Sequence, residues 1–201
     1  MPDTTSRYSQ VTRRAFLGGL SVAAIATVTA CSSTSSTSSS SASSSSSTTG
    51  ASAAATGPAL PTTAKATVAW TFASSSAQKN PYMAVWIEDA NGSFVKTVAL
   101  YHKANGDNWL NTLTRWYSVS GGTNTTTSGT VPAGSFTASW DGSTASGARA
   151  VQGNYYVCVE SVVEHGSESL VRQQVAFATT AAKTTLTAAG EITAASVDYT
   201  V

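Results

Sequence analysis

Two cysteines, two histidines and five prolines in 201 residues leave few of the groups from which familiar active sites are built. His102 and His165 are far apart in sequence, and no His-x-x-x-His or Cys-x-x-Cys pair occurs, which excludes the usual zinc and dithiol motifs. Serine is abundant, yet no Gly-x-Ser-x-Gly elbow is present; Gly166-Ser167-Glu168-Ser169 lacks the final glycine. Charge is scarce too, with 11 basic and 10 acidic residues. No apolar run is long enough for a stable membrane span, since the stretch from Ala15 to Ala30 is short and rich in Gly and Ala.

What that stretch does supply is an address. Arg13-Arg14 followed by Phe16 and Leu17, then a weakly hydrophobic core containing Gly18-Gly19, reads as a twin-arginine export signal. The alternative is the positive n-region of an ordinary Sec signal, whose core is usually more hydrophobic. Val28-Thr29-Ala30-Cys31 looks like a lipoprotein processing box, with Cys31 expected to become an acylated N-terminus rather than an incidental cysteine. Several acyl chains at about 0.8 kcal/mol per buried CH₂ would anchor the protein firmly in a membrane. Ser32, in place of the aspartate that retains lipoproteins in a Gram-negative inner membrane, favours the outer one if the cell has two. Residues 1–30 are therefore read as the signal peptide. Their removal takes Arg7, Arg13, Arg14 and Asp3, leaving eight basic and nine acidic residues. That balance offers no electrostatic case for nucleic acid.

Residues 32–49 are Ser and Thr apart from Ala42, and small residues with Pro58 and Pro61 follow. With almost no apolar surface to bury, residues 31–63 are expected to form a disordered tether. About 29 such residues give a mean reach of roughly 30 Å. The remainder, 64–201, is long enough for one domain burying roughly 68% of its unfolded-chain surface.

In that domain the hydrophobic pattern has a period of two. Thr67–Phe72, Tyr82–Asp89, Phe94–Leu100, Ser135–Trp140, Tyr155–Val163, Leu170–Ala178 and Ile192–Val201 are expected strands, and Asn91-Gly92 is a hairpin signal. About seven short strands indicate an all-β, immunoglobulin-like antiparallel β-sandwich. One segment breaks the pattern: Asp107 can cap a short amphipathic helix with Trp109, Leu110, Leu113, Trp116 and Tyr117 on one face. Tyr101, Trp109, Trp116 and Tyr117 are then a candidate surface for a flavin, sugar or partner protein. The competing expectation, which we favour, is a plug packed inward over one open end of the sandwich.

Gly134-Ser135-Phe136-Thr137-Ala138-Ser139-Trp140-Asp141-Gly142, then Gly147, then Gly153-Asn154-Tyr155-Tyr156-Val157, is the most specific pattern in the domain. Asp141 can form an Asx turn, Gly142 and Gly147 can take positive φ, and Trp140 with Tyr155 or Tyr156 can cover the core edge. The unit resembles the Ig-like domain of flagellar hook-capping proteins. Together with Pro81–Asp89, Phe94–Val98 and Val159-Glu160, the stretch from Thr67 to Tyr199 resembles a family of predicted periplasmic proteins of unknown function. That resemblance implies partners such as PepSY-type membrane proteins or flavinylated redox proteins, and implies no catalytic residues. Tyr101-His102 stands where that family tends to have another aromatic, frequently Trp.

Cys158 lies in an apolar strand pattern and is read as a buried small hydrophobe. Glu88 with Asp89, and Glu160 with Glu164, are carboxylates near strand ends; acid/base chemistry or calcium is conceivable, but solvated turn residues are the expectation. No catalytic residue, metal ligand or cofactor fingerprint is identified. The expected function is a non-enzymatic envelope lipoprotein, a binding or scaffolding module beside a redox or metal-uptake system. The alternative is a secreted hydrolase or cofactor-dependent enzyme whose site the sequence does not reveal.

Overall fold

The computed structural model describes residues 57–73, 79–103, 109–123, 129–163 and 166–201. The export segment, Cys31, the Ser/Thr-rich stretch as far as residue 56, and Asp107, Glu164 and His165 lie outside the described residues.

Eight strands form: β1 (Lys65–Phe72), β2 (Tyr82–Glu88), β3 (Phe94–Tyr101), β4 (Gly134–Trp140), β5 (Gly153–Val162), β6 (Glu168–Phe177), β7 (Ala182–Leu186) and β8 (Ile192–Thr200). They make two sheets, ordered β4-β1-β8-β7 and β3-β2-β5-β6, with every pairing antiparallel. Hairpins β2–β3 and β5–β6 join through their inner strands, while β1, β4, β7 and β8 complete the other sheet. This is the expected all-β sandwich. β7 was not anticipated, because only Leu186 of its five residues is buried and an exposed edge strand shows little alternation.

The core lies between the sheets. In β1, Val68, Trp70 and Phe72 point inward, opposite Val85 and Ile87 of β2 and Val157 and Val159 of β5. Trp140, Tyr155, Phe177 and Tyr199 form an aromatic chain with ring centroids 4.9 to 5.6 Å apart between successive neighbours along Trp140–Phe177–Tyr199 and Trp140–Tyr155. Such contacts add to the burial of each ring.

The second sheet is buried on both faces. Ala84 and Trp86 of β2 and Cys158 of β5 point away from the sandwich core and are fully buried against Leu113 and Trp116. Those two belong to a helical cover made of a 3-10 turn, Leu110–Thr112, and helix α1, Thr114–Ser120. The helix therefore does not plug an open end, as expected; it adds a third layer on the outer face of β3-β2-β5-β6. The physical reason is in β2 itself: its near-continuous apolar run needs a cover on each side.

Packing also begins ahead of residue 64. Leu60 is buried and donates its N–H to Ala150 O at 2.8 Å, and Gln152 N–H reaches Pro58 O at 2.8 Å, so 58–61 lie against the segment before β5.

Candidate functional site

Three places bring functional groups together, and each can be built from its residues. The first is the Trp-Asp-Gly turn after β4. Asp141 Oδ1 accepts the Ser143 N–H at 3.0 Å, the Ser143 hydroxyl at 2.6 Å and Lys96 Nζ at 3.2 Å. The bonds from Ser143, set against a desolvation that works the other way, and the Lys96 ammonium hold this carboxyl down at about 2. Gly142 and Gly147 have φ of 76° and 84°, and Gly153 opens β5. Trp140 Nε1 donates to Ser143 O at 2.7 Å and its ring meets Tyr155, whereas Tyr156 faces the opposite side of the sheet beneath Arg172. Arg149 gathers four carbonyls, those of Asp141, Leu60, Pro61 and Ala64. Every polar group named here is directed at the protein's own backbone or side chains, so the turn joins the N-terminal segment to the sandwich.

The second place is a layer of carboxylates beneath α1. Glu88 and Glu160 are fully buried, which corrects the reading of them as solvated turn residues. The cause is phase: they share their strands' outer faces with Trp86 and Cys158, which the helix covers. Glu88 accepts Trp86 Nε1 at 3.0 Å, a bidentate pair from Arg115 at 2.9 and 2.8 Å, and Arg172 Nε at 2.9 Å. Burial alone would raise its pKa, but the Arg115, Trp86 and Arg172 hydrogen bonds outweigh it and the carboxyl lies below its ordinary value. Arg172 in turn stacks on Tyr156, Cζ to ring centroid 3.5 Å.

Glu160 caps α1 from another element. Its oxygens accept the backbone N–H of Arg115 at 3.1 Å and of Trp116 at 2.8 Å, the donors a helix start leaves open. Glu168, bound by Thr114 Oγ1 at 2.8 Å, is its acidic neighbour. Burial raises Glu160 to about 7 against the pull of those two N–H groups, and Glu168 adds to the rise. Cys158, between the two carboxylates, is buried and its thiol is pushed well above the ordinary range, chiefly by desolvation and then by Glu88. It is an inert core group in this state. Asp89, by contrast, sits in the β2–β3 turn, where Oδ1 accepts the N–H groups of Asn91 and Ser93.

The third place is a cleft of about 630 Å³ lined by Lys79, Asn80 and Tyr82, by Lys103, by Trp109 and Thr112, and by the ends of β5 and its loop. The four aromatics expected to share a surface do not. Trp116 is fully buried and donates Nε1 to Thr97 Oγ1 at 2.9 Å; Tyr101 packs on Trp70 and Phe136. Tyr117 is exposed on α1, away from the described lining of the cleft. Only Trp109, 60% exposed, stands at the cleft. Among the described residues no three His, Cys, Asp or Glu side chains gather as a metal-ligand set.

Residues 63–194 match a family described as "Predicted periplasmic protein (DUF2271)". No curated protein matches the chain, and no solved structure does.

Proposed function

The chain belongs to the DUF2271 family of predicted periplasmic proteins, and on that premise we propose that it is a non-enzymatic binding module of the cell envelope. In this reading Arg13, Arg14, Phe16 and Leu17 direct twin-arginine export, acylated Cys31 anchors the mature chain, and the Ser/Thr-rich segment lets the sandwich reach a partner. The partner is a PepSY-type or flavinylated protein of a redox or metal-uptake system, as the family resemblance implies. The unit resembling hook-capping proteins serves the scaffold. The observation that supports the reading best is the cleft: a concave site of small-molecule or side-chain size with an exposed tryptophan at its edge.

Two measurements test it. Cys31→Ser should leave the membrane fraction; a variant that still sediments after a carbonate wash would remove the anchor. Photoreactive benzoylphenylalanine at position 109 of the full chain should give, in cells, an adduct with in-gel flavin fluorescence. The same group at Thr137, exposed on the other sheet, should give none. No adduct from 109, or equal yields from both positions, would sink the binding reading.

A further inference from the structure

The four sheet edges are not alike. β3 meets β2 through two register irregularities and gives Val95 O to the Ala145 N–H at 2.7 Å, so its edge is bent and partly taken. β4 is seven residues long and opens on Gly134, while β7 is five residues long and carries the exposed Lys183. β6 differs from all three. Its ten residues, Glu168–Phe177, pair with β5 in one unbroken register and include no proline, glycine or bulge. Among the described residues, no backbone group outside β5 bonds the backbone of β6. Every second residue therefore turns its N–H and C=O to the open side, where they can template one more strand.

Charge often defends such an edge. The two charged residues of β6 are both drawn inward over the sheet: Arg172 bonds Glu88 of β2 and stacks on Tyr156 of β5, and Glu168 is bound by Thr114 of α1. Neither guards the open side.

The order of residues along β6 indicates what fits there. In a ladder, opposed side chains must point to the same face. Two antiparallel copies of β6 centred on Gln173 set Val171 opposite Val175 on the inner face, and Leu170 opposite Ala176 and Arg172 opposite Gln174 on the outer face. Apolar then meets apolar, polar meets polar, and no like charges are opposed. Centring on Arg172 instead would oppose two arginines and set Val171 against Gln173. The strand is thus its own complement about the kind of two-fold axis that closes a dimer.

We propose that β6 is a dimerisation edge, at which a second copy of this chain adds its own β6 antiparallel about Gln173, so that two four-stranded sheets become one of eight.

The test uses the full chain carrying Cys31→Ser, which leaves the buried Cys158 as its one thiol. Sedimentation equilibrium should give twice the mass of the chain. Ala176→Lys, at an exposed position opposite Leu170 of the second copy, should weaken the dimer about tenfold or more with the circular dichroism unchanged. Gln173→Cys in the same chain should form an intermolecular disulfide under mild oxidation. Opposed Cα atoms lie about 4.5 to 5.5 Å apart, within the roughly 4.4 to 6.8 Å that a disulfide spans. Gln174→Cys should not cross-link, because position 174 faces Arg172 and is out of step with its own counterpart. A chain that stays monomeric up to about 100 μM, a dimer indifferent to Ala176→Lys, equal cross-linking at 173 and 174, or open-ended association would each overturn the inference.

Discussion

The guanidinium of Arg149 lies over Gly142, where a Cβ would sit 3.1 Å from Cζ. Gly142 also has φ of 76°, a region a β-branched residue occupies only with strain. Gly142→Val should therefore destabilise the domain by about 1 to 3 kcal/mol, both through backbone strain and by lifting Arg149 from the carbonyls of Leu60, Pro61 and Ala64. Each kcal/mol is worth roughly 2 to 8 °C in melting temperature for domains of this general size. An unchanged thermal melt would show that the Trp-Asp-Gly turn is not a structural clamp.

Glu88 joins three elements through one carboxylate. Removing it by Glu88→Ala leaves Arg115 and Arg172 facing each other and Trp86 Nε1 without an acceptor in a buried site. The guanidiniums remain 34% and 29% exposed, so water screens part of their repulsion. The expected loss is accordingly that of hydrogen bonds to a charged group, about 1.5 to 3 kcal/mol, rather than that of a fully dry ion pair. Urea denaturation measures it; a loss below about 0.5 kcal/mol would mean the network is dispensable.

Trp109 and Trp116 lie seven residues apart on what the spacing predicts as one helical stripe, but Trp109 precedes the 3-10 turn and only Trp116 is in α1, and their truncations should differ sharply. Trp116→Ala empties a site between α1 and the outer face of β2 and should cost about 3 to 5 kcal/mol. Trp109→Ala should change stability by less than about 0.5 kcal/mol, because its ring is mostly in water. Comparable losses from the two variants would mean that Trp109 is part of the packing after all.

That pair also shows what could be read before the fold was known. Alternation located β1 through β6 and β8 because each has a buried face in phase along its length, and Asn91-Gly92 marked the β2–β3 turn directly. The stripe Trp109, Leu113, Trp116 announced a helix but not the surface beneath it. The signal for that surface was in β2, where Ala84 and Trp86 are as apolar as Val85 and Ile87; two apolar faces demand two covers, and any carboxylate in phase with Trp86 must be buried with it. Glu88 and Glu160 were in that phase. Their partners were not legible, since Arg115, Arg172 and the N–H groups of α1 come from distant segments joined only by strand order. The cleft was hidden for the same reason: Lys79 and Lys103 come to line one cleft only through the β2–β3 register.

Glu160 makes a pH dependence whose sign can be worked out. Its ordinary value of 4.5 applies to the unfolded chain, while burial raises the folded value to about 7. Between those limits the unfolded chain has released the proton and the folded chain still holds it. The native state thus binds more protons, and stability falls as pH rises from 4.5 to about 7, then levels off. Glu88, whose folded value lies below its ordinary 4.5, adds a slope of the opposite sign at the acid end of that window, which fades as the unfolded chain's carboxyl ionises above 4.5. The difference in urea midpoint between wild type and Glu160→Gln, followed from pH 4.5 to 8, isolates this one group from all others that titrate. That difference should change across the window, and Glu168→Gln should move the change to lower pH, since removing its neighbouring carboxylate removes part of what raises Glu160. Burial remains in that variant, so the change should persist rather than vanish. A pH-independent difference would mean that Glu160 is ionised throughout, holding the Arg115 and Trp116 N–H groups as a permanent anion cap.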